Sequence, residues 1–226
     1  MKLTFYGHAC FLVEANGKKL LFDPFITPNE LAKHIDINTI ECDYIALTHG
    51  HEDHVADVVA IAKITNATVI CAYEVYEWLS KQGLQNFRPM NIGGKWQSDF
   101  GTIKCVVAQH SSSLPDGTYG ANPMGFVVNT GDGDYYYSGD TALTMDMQLI
   151  PRWAALKFAV LPIGDNFTMG ADDAIIAADF IQCNKIIGVH FDTFGYIKID
   201  HVAAQQKFTQ HGKELILLNI GDSIEL

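Results

Sequence analysis

At 226 residues with a formal net charge of −11, the chain can bury a full core without disulfides, as one large domain or two small ones. The acidic balance and the lack of any Lys/Arg run exclude a protein that grips nucleic acid by its phosphates. Ordinary apolar content and a low share of charged residues describe a soluble, enzyme-sized globular protein, for which small-molecule substrates remain open.

The chain begins as a strand meander over Leu3 to Tyr6, Cys10 to Ala15 and Lys19 to Phe22, with Asn16-Gly17 as the hairpin turn and Asp23-Pro24 ending the third strand. Tyr44 to Leu47 then reads as a short buried strand, and Val55 to Ile64 carries helical spacing in Val55, Val58, Val59 and Ala62. Thr68 to Cys71 is strand-like, and Val75 to Lys81 reads as a short helix closed by Gly83. Ile103 to Ala108 is a strand that stops just before His110. A second hairpin runs from Phe126 to Thr130, turns through Gly131 to Asp134, and returns over Tyr135 to Ser138. In the Tyr135-Tyr136-Tyr137 run, Tyr136 faces away from its neighbours and all three pack the sheet.

Phe158 to Pro162 and Ile186 to Val189 have strand length. Between them a helix of about ten residues starts at Ala171-Asp172-Asp173 with an aspartate placed to cap it. Asp200 likewise precedes a helix over His201 to Gln210, and Leu215 to Leu218 and Ser223 to Leu226 close the chain as strands. No linker marks a boundary, so residues 1–226 read as a single α/β domain with helices packed outside sheets.

The chemistry concentrates in Thr48-His49-Gly50-His51-Glu52-Asp53-His54, at the corner between the strand ending at Leu47 and the helix that follows. Imidazole and carboxylate suit Zn²⁺, Mn²⁺ or Fe. In an extended segment His49 and His51 share one side and can chelate one ion, whereas Asp53 and His54 follow the turn into the helix and point toward a second. The alternative is a solvated, His-rich loop. Further ligand types follow strands one at a time: His110, Asp140 and His190. Strand ends fix such positions more firmly than free loops do.

The cysteines, Cys10, Cys42, Cys71, Cys105 and Cys183, are odd in number, scattered and without a Cys-x-x-Cys pair, which suits a reducing compartment and a role as core filler. Neither a signal peptide nor an apolar run near the ~18 residues of a membrane span is visible, so a cytoplasmic protein that neither enters a membrane nor binds nucleic acid is expected. Apolar faces left exposed would serve a homo-oligomer.

The ordered set His-x-His-x-Asp-His, then His, Asp and His, resembles the metallo-β-lactamase superfamily over nearly the whole chain. Gly7-His8-Ala9-Cys10-Phe11, Phe22-Asp23-Pro24-Phe25, His110 to Ser113, Gly139-Asp140-Thr141, Pro162 to Gly170 and His190 to Phe194 resemble, more narrowly, a branch of bacterial metal-dependent hydrolases related to L-ascorbate-6-phosphate lactonase. The resemblance implies a four-layer αββα sandwich of two mixed β-sheets flanked by helices. It also implies two divalent metal ions, Zn with Mn or Fe as alternatives. His49, His51 and His110 would hold one ion, Asp53, His54 and His190 the other, and Asp140 would bridge them. The implied activity is hydrolysis of a small molecule (a lactone, ester or phosphorylated compound) by a hydroxide held between the metals.

Asp53 would orient that hydroxide and take its proton. His8 could bind substrate or protonate a leaving group, or could hydrogen-bond a loop. Asp23 reads as a partner that holds a ligand histidine by its free ring nitrogen, or as a turn cap before Pro24. Asn166, Thr168 and Ser111 to Ser113 offer neutral donors, while His34, His201 and His211 lack ligand spacing. The superfamily also contains nucleases or phosphodiesterases and di-iron redox proteins; charge disfavours the first, and His51, where the second tend to carry Glu, disfavours the other.

Overall fold

The computed structural model describes residues 1–226. The first hairpin joins β2 (Cys10–Ala15) to β3 (Lys18–Phe22), and Asn16 and Gly17 both take left-handed backbone angles, as the tight turn between twisted strands requires. With β1 (Lys2–Gly7) they form an antiparallel meander. β4 (Tyr44–Ala46), β5 (Thr68–Ala72) and β6 (Phe87–Met90) then add in parallel, and the last strand, β14 (Ser223–Glu225), pairs antiparallel with β1. The second sheet repeats the plan. β7 (Lys95–Gln97), β8 (Thr102–Val107), β9 (Met124–Thr130) and β10 (Gly133–Tyr137) run antiparallel, followed in parallel by β11 (Leu156–Pro162), β12 (Lys185–Val189) and β13 (Glu214–Ile216). Both sheets are seven-stranded and mixed.

The sheets pack face to face through alternating side chains. Phe11 stacks on Phe22 at 4.7 Å between ring centroids, and both meet the edge of Tyr137 from the opposite sheet at 4.9 and 5.6 Å. Tyr135 and Tyr137 enter this inner core, whereas Tyr136 belongs to the outer cluster with Ala174, Ala178 and Phe208. That outer cluster is covered by α4 (Ala171–Phe180) and α5 (His201–Gln210). On the other side lie α1 (Glu52–Val55), α2 (Val58–Thr65) and α3 (Tyr73–Ser80), giving the expected four layers. Val58, Ile61, Val75 and Leu79 are fully buried beneath them.

Several boundaries differ from the sequence reading. The helix expected from Val55 begins at Glu52 and is interrupted after Val55, because Asp57 turns its carboxylate to the Ile26 and Thr27 amides at 2.6 and 2.8 Å. The helix expected from Val75 starts at Tyr73. β6 and β7 were not expected. β6 carries Pro89, which a strand tolerates at the sheet edge it occupies, and β7 has three residues. A 3₁₀ segment, Met145–Arg152, also lay outside the expected elements. All five cysteines are buried and free, and burial pushes the Cys42 thiol up to about 11 and Cys105 to about 12, so they pack as apolar groups. No helix is long and apolar enough to cross a membrane.

Candidate metal centre

Each half of the molecule sends its functional side chains from strand ends at one edge of the sandwich. His8 follows β1, Asp23 follows β3 and His49 to His54 follow β4. From the second sheet come His110 after β8, Asp140 after β10 and His190 after β12. Three of these positions reverse the chain sharply: His8, Asp23 and His190 sit at φ of +54°, +41° and +56°. Left-handed backbone at a non-glycine residue costs about 1–3 kcal/mol, and such strain is tolerated where the surroundings over-determine it. Here the His190 amide donates to the His8 carbonyl at 2.8 Å and locks the two reversals together.

The ligand atoms of His49, His51 and His110 lie within 4.8 Å of one another, as do those of His8, Asp53, His54 and His190, and those of His49, His54 and Asp140. Asp140 occupies the middle. Its Oδ2 stands 3.0 Å from His190 Nε2, 3.3 Å from His54 Nε2 and 3.6 Å from His110 Nε2. The site therefore gathers all seven expected ligands, and adds His8.

Asp23 is wholly buried and organises both groups. Its Oδ2 accepts from His54 Nδ1 at 2.9 Å, Thr48 Oγ1 at 2.6 Å and Tyr137 OH at 2.7 Å, while Oδ1 accepts from the Thr48 amide at 2.8 Å. With its hydroxyl hydrogen committed to Asp23, Thr48 accepts from His49 Nδ1 at 3.0 Å. Asp23 and Thr48 thus hold both rings by Nδ1 and turn Nε2 into the cluster, the orientation a metal ligand needs.

These inward nitrogens support a fit to cations. His54 Nε2 is buried without a hydrogen-bond partner, since Asp140 at 3.3 Å lies off its bonding direction. His49 Nε2 faces His51 Nδ1 at 2.9 Å, so two ring nitrogens are turned to one point. Asp23, Asp53 and Asp140 crowd the same site with no Lys or Arg paired to them. Burial opposes charge on His54, but Asp140, Asp23 and Asp53 outweigh it and hold its pKa well above the ordinary value. Burial opposes charge on Asp140 too, yet His190 and His54 keep its carboxyl ionised. The imidazole and carboxylate donors suit Zn²⁺, Mn²⁺ or Fe.

His8 is buried, and desolvation, reinforced by His190 at a ring separation of 4.2 Å, lowers its pKa to about 4. The neutral ring donates from Nε2 to Asp53 Oδ2 at 3.0 Å and accepts at Nδ1 from Thr193 Oγ1 at 3.0 Å. It lines neither opening onto the cluster and stands behind Asp53.

The other candidates separate. Ser111 lines the cavity at the cluster, 3.4 Å from His51 Nε2, while Ser112 ties Gly50 to Gly120 and Ser113 bridges to Tyr119. Asn166 and Thr168 line no part of the opening; Phe167 between them does. His34, His201 and His211 bond Ile220 O, Asp192 and Lys207 O away from the cluster. The sequence reading gave no role to Thr48, Tyr137 or Thr193, although Thr48 opens the histidine run and Thr193 lies in the segment His190 to Phe194.

Comparison with known proteins shows the family and the fold. A family model described as the beta-lactamase superfamily domain matches residues 18–191. A UPF0173 metal-dependent hydrolase of Flavobacterium johnsoniae is 57% identical over 226 residues, covering all of both chains, and one of Christiangramia forsetii is 54% identical, again over all of both. Among solved structures, Igni18, a metallo hydrolase of Ignicoccus hospitalis, superposes with a TM-score of 0.88 at 31% identity, covering 100% of this chain and 98% of that one.

Proposed function

The chain belongs to the beta-lactamase superfamily and is a metal-dependent hydrolase, and on that premise we propose that it hydrolyses a small ester or lactone at a dinuclear centre, with residues 1–226 acting as one domain. His49, His51 and His110 would hold one ion, Asp53, His54 and His190 the other, and Asp140 would serve both. The observation that carries this reading is the convergence of buried imidazole nitrogens on the Asp140 carboxylate from both sheets, His54 Nε2 among them without a hydrogen-bond partner. Bound there, divalent ions supply Lewis acidity and lower the pKa of water toward neutrality.

The protein's own groups supply the rest. Burial works against charge on Asp53, but His54 and His8 outweigh it, so the carboxylate is ionised at neutral pH and accepts a hydrogen bond from the attacking water. His8 is a positioning residue: its donated hydrogen fixes which way Asp53 Oδ2 points, and Thr193 fixes the His8 ring. Asp23, through His54 and Thr48, holds the donor sets in register. Water adds across the acyl–oxygen bond, giving the acid and the alcohol. The experiment is metal analysis of the purified protein with a screen of lactones, phosphodiesters and thioesters. About two equivalents of metal with acyl-ester turnover, lost in Asp53→Ala, support the reading; two bound metals without hydrolysis of any class overturn it.

A further inference from the structure

Above the metal cluster the molecule opens into a cavity of about 850 Å³ walled by Phe25, Pro28, Phe167, Phe194 and Tyr196. Phe167 and Phe194 also line the smaller cavity, of about 260 Å³, that contains His51, His110, Asp140 and His190. Asp53 is common to both linings as well, so the two spaces adjoin across these side chains and the aromatic wall lies beside the point where chemistry would occur. Phe167 and Tyr196 meet at 6.2 Å between ring centroids and Phe25 and Phe194 at 6.3 Å, so the rings form one apolar surface contributed by three separate loops. Phe167 is 50% exposed, Phe194 37% and Tyr196 78%, although each would be more stable covered.

Charge along the same path has one sign. The carboxylates lining the two cavities are Glu52, Asp53 and Asp140, and neither cavity has a Lys or Arg in its lining. A substrate phosphate or carboxylate lying outside the metal cluster would meet no cation, inside a chain whose net charge is already −11. An aryl or alkyl group would instead leave water for the aromatic wall.

Resting on the hydrolase reading, we propose that the mouth selects an uncharged substrate whose non-reacting part is aryl or alkyl, and that it rejects the phosphorylated substrates that the sequence alone left open. Phe167 and Phe194 are the specificity-determining residues. The apolar part lies against them while the scissile bond reaches the metal cluster.

The test uses the zinc-reconstituted protein in two assays. In the first, p-nitrophenyl acetate, butyrate and octanoate are compared with p-nitrophenyl phosphate and a phosphorylated lactone. The expected result is a kcat/KM that climbs about two- to fourfold per added methylene until the mouth is filled, with the phosphorylated compounds far below. Phe194→Ala and Phe167→Ala should flatten the climb, with kcat/KM for the octanoate falling further than that for the acetate. The second assay follows binding of the neutral fluorophore N-phenyl-1-naphthylamine, which the double variant should weaken at least tenfold whether or not turnover occurs.

A flat series with no fluorophore binding, or preference for the phosphorylated lactone, would overturn the proposal and leave the hydrolase reading intact. No hydrolysis of any compound in the series with fluorophore binding intact and lost in the double variant would remove the ester-hydrolysis reading and keep the apolar selectivity of the mouth. A concentration-dependent dimer that forms in the wild type, excludes the fluorophore and dissolves in Phe194→Ala would show that a second copy covers the aromatic surface, and would also overturn the proposal.

Discussion

Asp23 accepts a hydrogen bond from His54 and, through Thr48, from the side that bonds His49, so one carboxylate fixes the orientation of a ring in each donor set. Asp23→Asn would put an amide where three donors converge, and a loss of about 10- to 100-fold in affinity for both metal equivalents is expected, read by competition with a chromogenic chelator. Thr48→Val should weaken chiefly the His49, His51 and His110 set; equal loss at both sets would show that the carboxylate, not the relay, is disturbed. His8 supplies a pH signature. Its ring stays neutral down to about 4, against 6.5 for an ordinary imidazole, so between those values the unfolded chain binds the proton first. Stability from this site is complete above about pH 6.5 and is lost as pH falls toward 4, by about 3 kcal/mol. Urea titrations of metal-free protein should show that decline in the wild type and a shallower one in His8→Gln; parallel pH profiles would remove His8 as the source. The histidine run and Asp23 were legible in the sequence because ligand chemistry concentrates in seven contiguous residues and one strand-end acid. The bonds of Thr48 and Tyr137 to Asp23 were not, because the first exists only once β3 and β4 pair and the second only once the second sheet closes on the first.

At the scale of elements, strand ends place ligands and glycines let them approach. Gly164, after β11, leaves room for the loop that carries His190: a Cβ there would fall 2.1 Å from the His190 carbonyl oxygen. Gly139 holds φ +63° before Asp140, and a Cβ would press on Thr48 at 2.8 Å. Gly164→Ala is therefore expected to destabilise by about 2–3 kcal/mol and to lower metal affinity, since the backbone it displaces orients a ligand. Thermal unfolding with and without zinc measures both, and a stable variant with unchanged affinity would show the loop accommodating the methyl elsewhere. The same scale explains what pattern reading could recover. The first hairpin, β4, β9 with β10, and β12 announced themselves by alternation or by short apolar runs between turn residues. β6 concealed itself behind Arg88 and Pro89, which a sheet edge accepts but an interior strand would not, and the start of α1 was obscured because Asp53 and His54, two of its four residues, belong to the ligand run. The aromatic mouth escaped as well, since Phe25, Phe167 and Phe194 belong to three loops that no local pattern connects.

For the whole molecule, the donor atoms come from both sheets, so an ion held among them would cross-link the two halves of the sandwich. His49, His51, Asp53 and His54 leave the first sheet, and His110, Asp140 and His190 leave the second. The termini join the halves again, because β14 completes the first sheet and the Leu226 amide donates to the Met1 carbonyl at 2.8 Å. A ligand that binds only the folded state stabilises it by about 4 kcal/mol at a thousandfold excess over its Kd. For a chain of this length each kcal/mol moves Tm by about 2–4 °C, so zinc should raise Tm by about 8–16 °C, and a chelator should reverse the rise. Asp140→Ala should abolish most of that increment, because its Oδ2 is the atom within 3.0 to 3.6 Å of ring nitrogens from both sheets. His110→Ala, which removes a donor from one set only, should abolish less. Scanning calorimetry distinguishes the alternatives: one transition that moves as a unit with metal is expected from a centre shared between the sheets, whereas a second transition indifferent to metal would mean that one sheet unfolds without it.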